Sequence, residues 1–448
     1  MTETPRADSL LGLAERIVSL GKECGADEVE ATVSDGREFS VDVRQGQIEN
    51  LVEAGSRFLS FRVIKDQKTA HATSSDLQDE TVQRLIRNAV IRAALGGRDE
   101  CAGLPLLSSD KVDIPSLRLF DPEVPKLEAA PKIRLALETE RIALEDKRIT
   151  NSHGASFITN EVTTVLAGSN GFLGSYDQTF CSLSVGLQAG ETDDRVEDYW
   201  VSVERFFKNL EPPETVAKKA VERTVRQLHP RKIRTQTVPV IFEPGMTDWL
   251  VGFLFACVSA VAVYQKTTFL AGRLGERIGN ENITIMDDGL MPGRLGSRPF
   301  DSEGVPCGKT TVFEQGVLRR FLCNTYAGRK LKLATTGNSD GTGIGPNNFY
   351  LLPGNASPQE IIASTERGLV LTRTIGHGLN PVTGDISRGA FGLWVECGEI
   401  AYPVSEVTIA GNLEQILNRV EMVGNDLDFR SPVCGPTIKI GALTVAGE

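Results

Sequence analysis

The alternation of apolar and polar positions already divides the chain into elements. Residues 1–8 carry no pattern and read as a frayed tail. Ser9 can cap a helix in which Leu10, Leu13, Ala14, Ile17 and Leu20 share one face, and Gly25 ends the run. Short alternating runs follow at Val29/Ala31/Val33, Phe39/Val41/Val43 and Leu59/Phe61/Val63. Turn signals at Ser34-Asp35-Gly36 and Gln45-Gly46-Gln47 separate them, which predicts an antiparallel meander. A second helix after Asp76 follows from the stripe Val82, Leu85, Ile86, Ala89, Val90 and Ala93.

The same order then returns. A helix over residues 130–145 precedes alternating runs at 162–167, 180–187 and 199–207, with a turn at Ser169-Asn170-Gly171. A closing helix starts at Pro213 and puts Val216, Ala217, Ala220, Val221 and Val225 on one face. Helix, strands, helix, twice over, predicts an N-terminal α+β domain (residues 1–230) built from a duplicated unit, with residues 101–126 as connector. Beyond Val238 the chain is glycine-dense and made of short strands. One apolar helix is expected around residues 250–264 and one amphipathic helix at 357–368. Residues 231–448 therefore read as a mostly β, barrel-like C-terminal domain, and the fold class expected for the whole is α+β.

Composition narrows the function classes. The 448 residues are 40% hydrophobic and 24% charged with both signs interspersed, which excludes disorder for the bulk of the chain. Lys and Arg number 48 against 59 Asp and Glu, a net charge of −11, so no direct nucleic-acid partner is expected. The longest uncharged apolar stretch, residues 249–264, falls short of the ~20 residues a membrane helix needs. The expectation is a soluble protein with no membrane partner. Eight cysteines lie singly without a CxxC, and the first residues lack a signal-peptide pattern, which points to the reducing cytoplasm.

Candidate chemistry concentrates in the C-terminal half. The four histidines (His71, His153, His229, His377) are far apart and none precedes Glu, so HExxH zinc motifs are absent. The segment 293–304 combines glycines and arginines with Asp301 and Glu303; it reads either as a binding loop or as a solvated loop with a local ion pair. The loop 337–347 has the glycines of a phosphate cradle but lacks the lysine and helix start, leaving a tight multi-turn connection. The segment 376–389 is richest: its glycines permit close approach, and His377, Asp385, Ser387 and Arg388 supply donors and acceptors. His377 reads as a general base or as a hydrogen-bonded structural histidine. Cys434, on usage alone, is a small buried hydrophobe.

Several blocks occur in one order across residues 263–426. They include Val263-Tyr264-Gln265-Lys266-Thr267-Thr268-Phe269-Leu270, Pro299-Phe300-Asp301-Ser302-Glu303-Gly304-Val305 and Thr383-Gly384-Asp385-Ile386-Ser387-Arg388-Gly389-Ala390. Residues 326–331, 399–404, 409–413 and 423–426 complete the set. With them the chain resembles the TldD/PmbA family, in its PmbA (TldE) branch, historically labelled modulator of DNA gyrase. The N-terminal half is similar in layout, with a strand-to-turn start at Gly25-Ala26-Asp27.

The resemblance implies a subunit of a two-protein zinc metallopeptidase that degrades or matures unfolded peptides, including precursors of modified peptide antibiotics. In that family the TldD-type subunit carries an HExxxH helix; its two histidines and a cysteine from a C-terminal Cys-Gly hold zinc, and its Glu activates water. Here the matching helix, with Leu254-Phe255-Ala256-Cys257-Val258-Ser259-Ala260, has neither His nor Glu, and only Cys434-Gly435 stands where the third ligand would be. One thiolate does not hold zinc. The resemblance thus implies a non-catalytic subunit with no metal or cofactor in this chain beyond the ligand-like Cys434. Zinc is expected in a TldD-type HExxxH partner, and an unfolded peptide in a groove that adds a strand to a sheet edge. Asp301, Glu303, His377, Asp385, Ser387 and Arg388 are the candidate groove or interface residues. An independent hydrolase built on Asp301, Glu303 and His377, a regulator that contacts DNA gyrase, and a homodimer in the partner's absence all stay open.

Overall fold

The computed structural model describes residues 5–108, 112–191, 194–341 and 343–448. Helix α1 (Pro5–Glu23), strands β1 (Glu28–Arg44), β2 (Gln47–Lys65) and β3 (Lys68–Ser74), and helix α2 (Asp79–Leu95) form a first unit. Helix α3 (Ala129–Ala143), strands β4 (Ile149–Gly168), β5 (Leu173–Ala189) and β6 (Val196–Glu204), and helix α4 (Pro213–Val225) repeat it. All six strands join one antiparallel sheet of order β3-β2-β1-β4-β5-β6, so the central pair takes one strand from each unit. The expected duplication is therefore a shared sheet. One face is covered by helices: α1 and α2 lie over Val29, Ala31, Val33 and Phe61, while α3 and α4 lie over Val41, Phe157, Leu183 and Val185.

Three local expectations change. The chain does not turn at Ser34-Asp35-Gly36. Strand β1 runs straight through because it is paired on both sides, Asp35 lying opposite Arg57 and Thr163. Gly36 fits there because a Cβ would meet Ser56 Oγ and Val162 Cγ2 at 3.2 Å. Strand β3 and the first half of β4 are additional, in stretches whose Lys, His, Asn and Ser hide the alternation. Helix α1 begins at Pro5, a favoured first position, so Ser9 lies inside it; residues 1–4 of the expected tail fall outside the described residues.

The C-terminal half contains β7 (Gln236–Phe242), α5 (Pro244–Val258), α6 (Ala260–Tyr264), β8 (Ile285–Asp288), β9 (Lys309–Glu314), β10 (Val317–Leu318), α7 (Thr325–Leu331) and β11 (Phe349–Leu351). It continues with α8 (Pro358–Ala363), β12 (Arg367–Ile375), β13 (Leu379–Asn380), β14 (Asp385–Glu396), β15 (Glu399–Asn412), α9 (Leu413–Asn418), β16 (Val420–Val423), β17 (Val433–Cys434) and β18 (Ile438–Ala446). The path β12-β7-β18-β15-β14 returns to β12, closing a five-stranded barrel, with β13 and β16 as appendages. A second sheet has the order β10-β9-β8-β11-β17. Helix α5 is apolar nearly all round because it is buried between these sheets: Leu250, Leu254 and Val258 pack with Phe242, Trp394 and Ile438 in one core.

The apolar segment 250–264 is not one helix. Ser259 is extended (φ −61, ψ 123) and bridges to Leu322, whose carbonyl accepts from Ala260 N–H and whose N–H donates to Val258 O. The amphipathic helix starts at Ser357 as expected, in a capping box with Glu360, but stops at Ala363. The chain becomes strand β12 there, and Gly368 packs so tightly that a Cβ would sit 2.6 Å from Pro239 O. Among the described residues no helix is long and apolar enough to cross a membrane.

The sheet of the N-terminal half is fastened to the C-terminal half by Arg205. Its buried guanidinium donates to the carbonyls of Arg294 (2.9 Å), Leu295 (2.7 Å) and Ser297 (3.2 Å). Because Leu254 is 1% exposed at the centre of the larger core, Leu254→Ala should cost about 2–5 kcal/mol in urea unfolding. Phe255, half-buried and edge-on to Phe349 at 5.3 Å, should cost less on the same substitution.

Candidate functional site

The expected site residues fall into two places. The first is the hairpin of β13 and β14. Gly378 lets the two arms meet, since a Cβ there would lie 1.7 Å from Ser387 O. Asp385 and Ser387 alternate with buried Ile386 and so face outward, and both are exposed, as is His377. Asp385 accepts from Thr383 Oγ1 (2.6 Å) and Asn412 Nδ2 (3.0 Å), and these bonds hold its carboxyl below the usual range. Arg388 turns to the other side, its guanidinium 5.0 Å above the Trp249 ring of α5. This fixes a cation on an aromatic face beside the hairpin.

Asp301 and Glu303 lie elsewhere, 2% and 4% exposed. Asp301 accepts from the backbone N–H groups of Glu303 (2.9 Å), Val305 (3.0 Å) and Ser339 (2.9 Å). Burial and the neighbouring Glu303 push it up to about 6. Glu303 accepts from Thr325 N–H (2.8 Å) and meets Arg62 of β2 at 3.5 Å; Arg62 also donates to Glu30 at 3.1 Å. Burial raises Glu30 against the opposing pull of Arg62. Both carboxylates thus face their own backbone and the junction between the halves, and no described hydrogen bond or ion pair links either to His377.

The glycine loop 337–347, of which Thr342 lies outside the described residues, closes on Asp287. Asn338 and Asn347 donate side-chain N–H groups to it at 2.7 and 2.9 Å, and Asn347 N–H adds a third bond at 2.9 Å. The loop is a tight connection around a buried carboxylate. It also contains the letters of a serine nucleophile elbow at Gly337-Asn338-Ser339-Asp340-Gly341. Ser339 is nevertheless fully buried, and all four histidines are exposed.

Cys434 lies on β17, paired with Tyr350 of β11, in a small cluster with Met286. Helix α5 runs beside it, and a Cβ on Gly252 would come 3.9 Å from Val433. The thiol donates to Ser431 O at 2.9 Å, and burial pushes it up to about 11. Asp248, in the first turns of α5, accepts from Gly435 N–H at 2.7 Å and is pushed up to about 7 by burial. The sequence reading missed Asp248; the signal available was a lone acid opening an apolar helix. A zinc ion needs three or four converging deprotonated ligands. Here a protonated thiol faces a carbonyl, and no group of three or more His, Cys, Asp or Glu side chains that could hold a metal is gathered among the described residues. These residues do not fit zinc.

Known proteins are similar to this chain over nearly its whole length. Residues 29–93, 122–228 and 235–447 match the family models described as PmbA/TldA metallopeptidase domain 1, central domain and C-terminal domain. The chain belongs to the PmbA/TldD family. It is 36% identical over 425 residues to metalloprotease PmbA of Escherichia coli, covering 94% of this chain and 93% of that one. A PmbA homologue of Haemophilus influenzae is 33% identical over 434 residues, covering 96% and 94%. The crystal structure of a Thermotoga maritima protein named as a modulator of a DNA gyrase superposes with a TM-score of 0.88 at 27% identity, covering 98% of this chain and all of that one. TldE of Thermococcus kodakarensis shares the fold, with a TM-score of 0.88 at 23% identity over 97% of this chain and 100% of that one.

Two outcomes follow for this PmbA/TldD family chain. Arg62→Ala strands Glu30 and Glu303 without a counter-charge and should destabilise by about 3–5 kcal/mol in chemical unfolding. Asp248 keeps its proton to about pH 7 when folded but loses it near 3.8 when unfolded, so the folded chain binds the extra proton and stability falls as pH rises between those values. Asp248→Asn should flatten that slope, read from urea midpoints at steps across this window.

Proposed function

We propose that this chain is the non-catalytic member of a two-subunit peptidase, pairing with a TldD-type subunit that carries the HExxxH zinc helix. The observation that carries the reading is α5: where it passes the Cys434 strand it offers Asp248, bonded to Gly435 N–H, and Gly252, next to Val433, and the whole helix has no imidazole or glutamate to set beside a thiol held protonated. The family's metalloprotease naming supports the peptidase context.

In this reading the chain supplies walls, register and exclusion of water. Among the described residues strand β13 is paired on one side only, so its free edge can take the backbone of an extended peptide. His377, Asp385, Ser387 and Arg388 present donors and acceptors of both signs around the β13–β14 hairpin, to the peptide or to the partner. Asp301 and Glu303 act one step removed, by holding the loop 299–305 against the N-terminal sheet.

The test is zinc content and peptide cleavage, measured for the isolated chain and with its partner. The isolated chain should hold well under one zinc and cleave nothing, while an HExxxH-bearing protein should co-purify and restore cleavage. One tightly held zinc per chain with cleavage by the chain alone would establish an independent hydrolase; capture of gyrase without any HExxxH protein would favour the regulatory reading. Arg388→Ala should stay folded yet weaken assembly by about 2–5 kcal/mol, read as the dissociation constant of the reconstituted pair. Unchanged assembly and cleavage with a lower melting temperature would assign Arg388 to its own fold.

A further inference from the structure

One edge of the N-terminal sheet is closed over part of its length. Strand β3 pairs with β2 from Leu59 to Lys65 and stops at Ser74. Residues 47–58 of β2 bond to β1 on one side and, among the described residues, to no strand on the other. The covered part is blunted by α2: Lys68 Nζ donates to Ala94 O at 2.9 Å, and Arg92 donates to His71 O at 3.0 Å. The open part lacks the protection that sheet edges usually carry. It holds neither Pro nor Lys and keeps regular register with β1 from Asn50 to Phe58. It also exposes Leu51, Val52 and Phe58 by 44%, 36% and 46%.

Two depressions of about 1160 and 330 Å³ adjoin this edge on the face that carries the helices, and Arg37 and Gly55 line both. Leu10, Leu13 and Leu77 wall the first; Val124, Pro125 and Leu127 wall the second. Gly55 keeps the floor between them low, since a Cβ there would meet nothing but Gly36 O at 3.9 Å. The charges around the two depressions answer one another: Arg57 meets Asp35 at 3.4 Å, and Arg37 meets Glu161 at 3.5 Å. An occupant need bring no charge. Lys132, 8% exposed in the second depression, donates to Thr159 Oγ1 at 3.0 Å and sits 4.4 Å over the Phe39 ring. An ammonium has three donors, so it keeps N–H groups for a neutral acceptor such as a carbonyl oxygen.

We propose that the open edge of β2, residues 50–58, binds an uncharged extended peptide as an added strand, with two apolar side chains seated in the two depressions. The edge is exposed on both faces, so what it offers along its length is alternating backbone N–H and C=O groups, and an extended chain is what they fit. Glu53 and Arg57 flank Gly55 on one face, about 13 Å apart, and each borders a different depression. Peptide side chains four positions apart therefore reach one depression each. The peptide continues the line of β3 beyond Ser74. A second copy of this edge fits less well. Paired about a two-fold over the whole stretch, the hairpin tip at Gln45-Gly46 of one chain runs into β3 of the other. The site belongs to the isolated chain and does not rest on the subunit reading.

The experiment titrates the full chain with acetyl-Ser-Thr-Leu-Thr-Ser-Thr-Leu-Thr-Ser-amide by calorimetry and follows amide hydrogen exchange at saturation. The peptide should bind saturably below about 1 mM and slow exchange at residues 50–58 while leaving residues 379–380 unchanged. Alternate N–H groups of a strand point to the same side. Of two analogues N-methylated at the odd or at the even positions, one should therefore bind at least tenfold more weakly and the other within about twofold of the parent. Gly55→Phe fills the floor between the depressions without a backbone penalty. It should weaken the peptide at least tenfold and change the melting temperature by no more than about two degrees. Leu77→Lys, which charges one wall and leaves the edge strand untouched, should do the same and serves if Gly55→Phe does not fold. No saturable binding, slowed exchange elsewhere than residues 50–58, equal binding of the two analogues, or full affinity in both variants would overturn the proposal. So would a dimer that protects residues 50–58 without peptide, which would assign the edge to a second copy.

Discussion

The pairing of β1 with β4 is the contact on which the remainder of the molecule rests. It runs from Glu30 opposite Gly168 to Val43 opposite Ala155, and it makes one sheet out of two three-stranded units. Apart, each unit would present a long free edge and a helical layer over only half a core. Joined, they give one continuous floor on which all four helices can bury their stripes. The length of these central strands also sets the geometry of the far end, because Glu30 on β1 and Arg62 on β2 stand where the C-terminal half docks.

That docking combines aromatic contacts of Phe300 with Phe172 and Tyr176 and directional contacts made by buried cations. Arg62 lies between Glu30 and Glu303, and Arg205 gathers the carbonyls of the 294–297 loop. Guanidinium groups suit this work because they stay charged when buried and aim several donors in a fixed plane. Such contacts are directional and tolerate little sliding. They fix the orientation of the two halves.

Much of this architecture is legible in the letters, and what is not legible has a physical reason. The helical stripes and the Gln45-Gly46 and Ser169-Asn170-Gly171 turns follow from local pattern, the duplication from the order of elements, and the mostly β second half from its glycine density and short strands. Strand β1 does not, because the sequence Ser34-Asp35-Gly36 has turn chemistry, and only bonding on both flanks keeps it extended. The break at Ser259 is set by Leu322, more than sixty residues away, which no window of local pattern can see. Asp301 and Glu303 read as members of a binding loop or a solvated loop because the partners that satisfy them when buried, backbone N–H groups and Arg62, are not advertised by the sequence. The hairpin at 376–389 was visible because its glycines and polar residues are consecutive.

Strand β18, residues 438–446, does not sit at an edge of the barrel. It is inserted between β7, the first strand of that half, and β15. A ribosome releasing this chain therefore delivers the N-terminal sheet complete long before the barrel can close. While the next two hundred or so residues are being made, β7 lacks its antiparallel neighbour, and α5 lacks part of the wall that covers its apolar surface. Closure joins segments some two hundred residues apart, a topology of high contact order and slow assembly. The C-terminal half is thus the portion most in need of protection while it is being made.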